Sequence, residues 1–203
     1  MKRKKIIVIG CGFGGLQFVK HLKKNMYDVL VIDKVNHHQF QPLFYQVAAS
    51  QIEPATISFP IRKIFQNRKD VRVRLATVES LNNDKKTIET SIGIFSYDYL
   101  VIASGAKTNY FGNKEIEDNS LSLKSTFMAM SIRNKTLLNF ERILSEEDNN
   151  GLYNIVIVGG GATGVELAGA YAEMKRDVLP KDYPNIRMQN VKVYLLEGSD
   201  NTL

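Results

Sequence analysis

Cysteine is almost missing from this chain of 203 residues, Cys11 being the single one. That excludes an internal disulfide, a CxxC redox pair and a cysteine-rich zinc site, and it suits a reducing compartment. Long apolar runs are missing too: nowhere do about 18 apolar residues follow one another, so no segment reads as a membrane-spanning helix. Histidine is scarce, and the adjacent His37 and His38 have no Cys, Asp or Glu at metal spacing, so no metal is expected. Acidic residues are in the minority, 21 against 27 Lys and Arg, and the resulting +6 favours anionic cofactors or a membrane surface. With 44% hydrophobic and 24% charged residues the chain is ordinary for a folded protein, which excludes wholesale disorder and a membrane bundle. The length corresponds to one large domain or one and a fraction.

The basic start MKRKK and the apolar IIVIG imitate a secretory signal, but Gly10, Gly12, Gly14 and Gly15 interrupt the apolar run and a helical pattern follows. Lys5 to Ile9 is continuously apolar after its first residue and rich in β-branched side chains, as in a strand buried on both faces of a parallel sheet. Leu16, Phe18, Val19 and Leu22 fall at helical spacing, and Val29 to Ile32 form a second apolar run. Together they read as a βαβ unit. Pro42 begins a helical turn inside the irregular stretch HHQFQPLFYQVAAS. From Val71 to Thr90, alternation across LNNDKK predicts a hairpin with one exposed face, and YDYLVIASGAK supplies a further buried strand. Residues 125–146 carry a long helical period, and the polar cluster at 146–154 is a candidate linker. After it, Ile155 to Val158, a glycine cluster, a helix from about Ala162 and a strand from Val191 to Leu196 repeat the opening architecture.

Two glycine clusters carry the chemistry. In the first, Gly10, Gly12 and Gly15 form GxGxxG between strand and helix, with Phe13 and Gly14 inside it and Asp33 eighteen residues beyond Gly15. Gly10 permits a tight turn, Gly12 allows backbone to approach a diphosphate at the helix N-terminus, and Gly15 lets helix and strand pack closely. Asp33 is placed to accept from a ribose hydroxyl. In the second, Gly159, Gly161, Thr163 and Gly164 follow a buried strand, and Glu197 ends the strand YLLE. Glu197 lies 33 residues past Gly164, later than the roughly 20 residues the pattern expects, so the intervening helix and loop must be longer. No basic residue follows Glu197 directly, which favours NADH over NADPH because a 2′-phosphate would face an uncompensated carboxylate. Two such units suggest two dinucleotides held for hydride transfer, FAD in the first and NADH in the second. The aromatics of QFQPLFYQ do not alternate with basic residues, so no nucleic-acid partner is expected.

The segments GCGFGGL, VIDKVNHHQFQPLFYQVA, YDYLVIASGA and IVIVGGGATGVELAG together resemble the two-dinucleotide-binding flavoproteins, and most closely the type II NADH:quinone oxidoreductases. FQPLFYQVAAS followed by ISFPIRKIF is the most family-specific part. The single cysteine separates the chain from disulfide reductases and sulfide:quinone reductases. The resemblance implies an α/β fold: a Rossmann-like FAD domain over residues 1–146, with a parallel sheet, a hairpin or meander and a long helix, then the start of an NAD-binding Rossmann unit over 151–203. It implies that Lys34 lies beside the FAD ribose, that Pro42 and Leu43 lie along the flavin, that Val78 meets the adenine, and that Ala103, Ser104 and Gly105 close over the cofactor. Ser104 stands where the family usually has Thr and keeps a hydroxyl. Glu166 in GVE resembles an acid near nicotinamide and flavin, which would orient the nicotinamide or assist proton movement to reduced quinone. The implied activity is electron transfer from NADH through FAD to a quinone, without proton pumping, by an enzyme peripheral on the inner face of the cell membrane. Because family members are about twice as long, the expectation is an N-terminal fragment that alone binds FAD weakly and does not reduce quinone, its membrane contact in the region beyond; a homodimer is possible. The residues leave two alternatives open, a non-catalytic nucleotide-binding module and a reductase for a protein acceptor such as ferredoxin.

Overall fold

A computed structural model describes residues 3–145 and 151–200. Residues 146–150 of the candidate linker, and with them the expected helix end at Glu146, lie outside the described residues. In chain order the elements are β1 (Lys4–Ile9), α1 (Phe13–His21), β2 (Tyr27–Asp33), β3 (His37–Gln39), a 3-10 turn (Gln41–Leu43), α2 (Phe44–Ala48) and a 3-10 turn (Pro54–Ile57). Then come β4 (Ser58–Pro60), α3 (Ile61–Ile64), β5 (Val71–Leu75), β6 (Val78–Asn82), β7 (Thr87–Thr90), β8 (Gly93–Ser96) and β9 (Tyr99–Ile102). Last are α4 (Lys114–Asn119), α5 (Thr126–Ser145), β10 (Asn154–Val158), α6 (Ala162–Glu173), a π turn (Met174–Val178), α7 (Leu179–Asp182) and β11 (Lys192–Leu196).

These elements form two compact units. The first, Met1–Gln39 with Ser58–Lys107, is built on a parallel sheet in the order β5-β2-β1-β9. Its central strands β1 and β2 are apolar at successive positions because both of their faces are buried. On one face Ile6, Val8, Val29 and Val31 pack with Leu16 and Val19 of α1 and with Ile61 and Phe65. On the other, Ile7, Leu30 and Ile32 pack with Ala76, Ile88 and Tyr97 under the antiparallel meander β6-β7-β8. The expected hairpin across LNNDKK is β6 and β7, but Val71–Leu75 is not part of it. That segment pairs parallel with β2 as the edge of the main sheet, Val71 and Val73 toward the helical side and Arg72 and Arg74 exposed. Alternation of this kind marks any strand with one wet face, so it does not tell a hairpin arm from a sheet edge.

The second unit, Phe40–Ile57 with Thr108–Leu203, holds the parallel pair β10-β11. Its core joins Phe44, Val47, Ala48 and Ile57 to Ala129 and Ile143 of α5, Leu167 and Tyr171 of α6, and Leu179. Tyr171 Oη bonds Thr136 Oγ1 at 2.9 Å and donates to the Ala48 carbonyl at 3.4 Å, tying α2, α5 and α6 together. Gln51 Nε2 adds a donation to Glu173 at 3.0 Å. Val156, Val158, Tyr194 and Leu196, all on one face of β10-β11, are exposed. The equivalent positions of the first unit, Ile7, Ile9, Leu30 and Ile32, are the ones that the meander covers.

Candidate functional site

Each unit carries one glycine loop, and the two loops are built alike. In the first, Gly10 has φ +92°, a conformation open to glycine, and its amide donates to the Ile32 carbonyl at 2.8 Å. A Cβ on Gly10 would stand 2.3 Å from the Ala103 carbonyl oxygen, and one on Gly15 only 1.9 Å from the Gly10 oxygen. Gly12 is the opposite case: a Cβ there meets nothing within 4 Å. The three glycines thus divide their work as the sequence pattern predicts, a turn at Gly10, open space at Gly12 and close packing at Gly15. Gly159 repeats the positive φ at +109°, Gly161 is open, and a Cβ on Gly164 would stand 1.9 Å from the Gly159 oxygen.

Both helices begin at their loops. The first intrahelical bond of α1 runs from Leu16 N to Gly12 O at 3.0 Å, and that of α6 from Val165 N to Gly161 O at 3.0 Å. The amides ahead of them have no acceptor within the helix. Neither helix has an acidic residue in its first turn, whereas α4 has Glu115 and Glu117 there. Within each helix nothing offsets the positive end of the dipole at the loop, an arrangement that favours an anion there.

A carboxylate ends the second strand in both units and grips the second loop residue. Asp33 Oδ2 accepts the Cys11 amide at 2.6 Å and Oδ1 that of Val35 at 3.0 Å. Glu197 Oε2 accepts the Gly160 amide at 2.5 Å, while Oε1 accepts the amides of Gly198 at 2.7 Å and Ser199 at 3.0 Å. These donors, Ser199 first, then Gly160 and Gly198, hold the Glu197 carboxyl below the usual range. Glu197 thus reaches the place equivalent to Asp33 despite its long separation from Gly164. The extra length is taken up by the π turn Met174–Val178 and by α7, which has Pro180 in its first turn. Proline lacks an N–H and clashes with the preceding turn, which opens the helix at that point.

The turn at Ala103, Ser104 and Gly105 sits against the first loop: Ala103 N donates to Ile9 O at 2.8 Å, and Gly105 has φ +75°. Phe13, Gly14, Lys34 and Ser104 are exposed around it. Val78 opens β6 and packs with the cluster of Ile7 and Ile32. Pro42 and Leu43 belong to the second unit, Pro42 exposed in the 3-10 turn and Leu43 against the core of that unit. Thr163 and Glu166 are exposed on α6.

Cys11 and His38 complete the first loop. Cys11 is buried, and burial, with the Asp33 charge beside it, pushes its thiol up to about 12. It is a neutral thiol near pH 7. A thiol-alkylating reagent is expected to leave the native chain unlabelled and to label it fully in denaturant; rapid labelling of the native chain would contradict this placement. His38, 6% exposed, bonds the Cys11 carbonyl through Nδ1 at 2.9 Å and meets the Phe13 ring edge-on at 5.2 Å. The sequence gives no periodic signal for that role; its clue is position alone, shortly after Asp33.

Residues 4–203 match the family model described as pyridine nucleotide-disulphide oxidoreductase. A type II NADH:quinone oxidoreductase, Ndh, of Mycobacterium tuberculosis is 32% identical over 209 residues, which take in 100% of this chain and 45% of the relative. A probable NADH dehydrogenase of Dictyostelium discoideum is 33% identical over 214 residues, covering 100% of this chain and 47% of its own. Among solved structures, NDH2 from Plasmodium falciparum in complex with NADH superposes with a TM-score of 0.91 at 26% identity, over 98% of this chain and 43% of that one. The sulfide:quinone oxidoreductase of Aquifex aeolicus, TM-score 0.70 at 19% identity over 96% of this chain and 51% of that one, shares the fold. The chain spans about half the length of the curated relatives it matches.

Proposed function

The chain belongs to the pyridine nucleotide-disulphide oxidoreductase family, and from that we propose that it supplies the FAD and NADH cradles of a type II NADH:quinone oxidoreductase. The observation that carries this reading is the duplicated loop: positive-φ glycine, open glycine, packed glycine, and a strand-end carboxylate on the second loop amide, once in each unit. The space left open at Gly12 and at Gly161, each ahead of a helix with no acid in its first turn, fits a diphosphate.

FAD and NADH, when bound, supply the hydride and electron transfer toward a quinone. The chain's own residues do the rest. Gly10 to Gly15 hold the FAD diphosphate, and Asp33 fixes the loop through one oxygen while standing at the strand end where a ribose hydroxyl is received. Lys34 neighbours that ribose, Val78 the adenine, Pro42 and Leu43 the flavin, and Ala103 to Gly105 close the site. Gly159 to Gly164, with Thr163, hold the NADH diphosphate, and Glu197, kept ionised by its amide donors, receives the ribose. Glu166 orients the nicotinamide. Residues 1–146 correspond in this reading to the FAD domain and 151–203 to part of the NADH domain. Quinone reduction, a peripheral membrane contact and any homodimer belong to the whole enzyme.

Titration with FAD tests the reading. The chain is expected to take up FAD, turn yellow and bleach on adding NADH without oxygen. Gly12→Ala is expected to lower the melting temperature by only about 2–4 °C, the cost of a poorer helix cap, and to weaken FAD binding at least about tenfold, since its Cβ meets no protein atom within 4 Å and enters the cofactor's space. No FAD uptake by the unchanged chain would overturn the reading, and uptake without bleaching would leave a binding module in its place.

A further inference from the structure

We propose that His38 is a positioning residue for the dinucleotide diphosphate, acting through the peptide between Cys11 and Gly12; the proposal rests on the FAD reading of the first loop. Cys11 is held from two directions, its N–H on the peptide from Gly10 and its carbonyl on the peptide to Gly12. Asp33 Oδ2 accepts the Cys11 N–H at 2.6 Å, and His38 Nδ1 lies 2.9 Å from the Cys11 carbonyl oxygen. A carbonyl only accepts, so Nδ1 carries the hydrogen and donates it, which fixes the imidazole tautomer.

The geometry of the peptide bond turns this contact into a directional one. The Cys11 carbonyl and the Gly12 N–H share one planar trans unit, in which C=O and N–H point to opposite sides. Drawing the carbonyl toward His38 therefore aims the Gly12 N–H away from His38. Gly12 is the loop residue with open space beside it, where the diphosphate would lie. His38 thus aims a donor it does not touch.

The imidazole is well held for this task. It is buried, so water does not compete for the carbonyl, and Phe13 stands edge-on to it at 85°. Its own strand β3 is pinned by pairing with β4, His38 facing Phe59 in the register. In the second loop Glu197 holds the Gly160 amide as Asp33 holds that of Cys11. The carboxylate grip is thus common to both loops, and the imidazole grip is an addition to the first.

Two amide variants separate hydrogen bonding from packing. The Nδ2 of asparagine lies two bonds beyond Cβ, as histidine Nδ1 does, whereas the amide nitrogen of glutamine lies one bond further out. His38→Asn is expected to bind FAD within about threefold of the unchanged chain. His38→Gln and His38→Ala are expected to bind it at least about tenfold more weakly, as for a lost hydrogen bond at a buried acceptor. NADH affinity, read at the other loop, is expected to stay the same in all three. Equal FAD affinity in the Gln variant, or equal losses in the Asn and Gln variants, would overturn the proposal. So would a parallel loss of NADH binding, which would mark a folding defect. If the unchanged chain takes up no FAD, the reading of the loop falls first and the proposal with it.

Discussion

Gly15→Ala is expected to lower the stability of the first unit by about 3 kcal/mol or more, because the new methyl has nowhere to go. It would stand 1.9 Å from the Gly10 carbonyl oxygen and 3.3 Å from Val8 Cγ1, and the nearer of these is backbone, which no rotamer change can move. Gly10 cannot give way easily, since its φ of +92° and its bond to Ile32 fix the turn, and a carbonyl of the neighbouring strand end crowds its other side. In a chain of this length such a loss corresponds to a fall of about 6–12 °C in melting temperature. Gly164→Ala should behave alike in the second unit, where the same 1.9 Å approach recurs against Gly159. A thermal melt within about 2 °C of the parent would show that the loop yields and that the close packing is not a constraint.

Asp70→Ala is the second large effect and concerns the fold alone. Asp70 and Arg68 have only 2% and 9% of their side chains exposed, and their ion pair closes at 2.7 Å. Asp70 also accepts Arg68 Nε at 2.8 Å and the Asn25 amide at 3.1 Å, and Arg68 donates onward to the Val19 carbonyl at 3.3 Å. The pair thus pins the end of α1 and the turn after it to the start of β5. Removing the carboxylate strands a guanidinium out of water, which costs about 3–5 kcal/mol, measurable by urea denaturation. The same group gives the chain an acid limit. Hydrogen bonds from Arg68 foremost hold the Asp70 carboxyl well below the usual range despite its burial. A depressed carboxylate contributes fully above its unfolded value of about 3.9 and loses that contribution as pH falls through the folded value. The parent should therefore lose stability below about pH 4 more steeply than Asp70→Ala; parallel acid limbs would contradict the assignment.

Both glycine loops and both strand-end acids were legible in the sequence, because each is a short-range pattern whose spacing follows from strand, turn and helix geometry. Glu197 shows where that legibility thins. Its spacing departs from the pattern because a π turn and a proline-led helix lie between, and no local signal distinguishes those from a misplaced motif. The parallel placement of Val71–Leu75 was hidden for a similar reason, since alternation records which face is wet and not which strand lies alongside. The grouping of Phe40–Ile57 with residues after Thr108 depends on contacts such as that of Tyr171 with Ala48, 123 positions apart. For His38 the sequence speaks only to the lack of metal-ligand spacing; its partner is a backbone carbonyl, which has no sequence signature.

The polypeptide passes from one unit to the other after Gln39, back before Ser58, and across again after Lys107. No single cut therefore divides it into two self-sufficient halves. A clone ending at Lys107 would carry Phe44, Val47, Ala48 and Ile57 into water without Ala129, Ile143, Leu167 and Leu179 to cover them. Dissection of the two cradles requires excising the 40–57 segment and rejoining the ends, so genetic exchange between relatives would succeed at the level of the pair more readily than of either part.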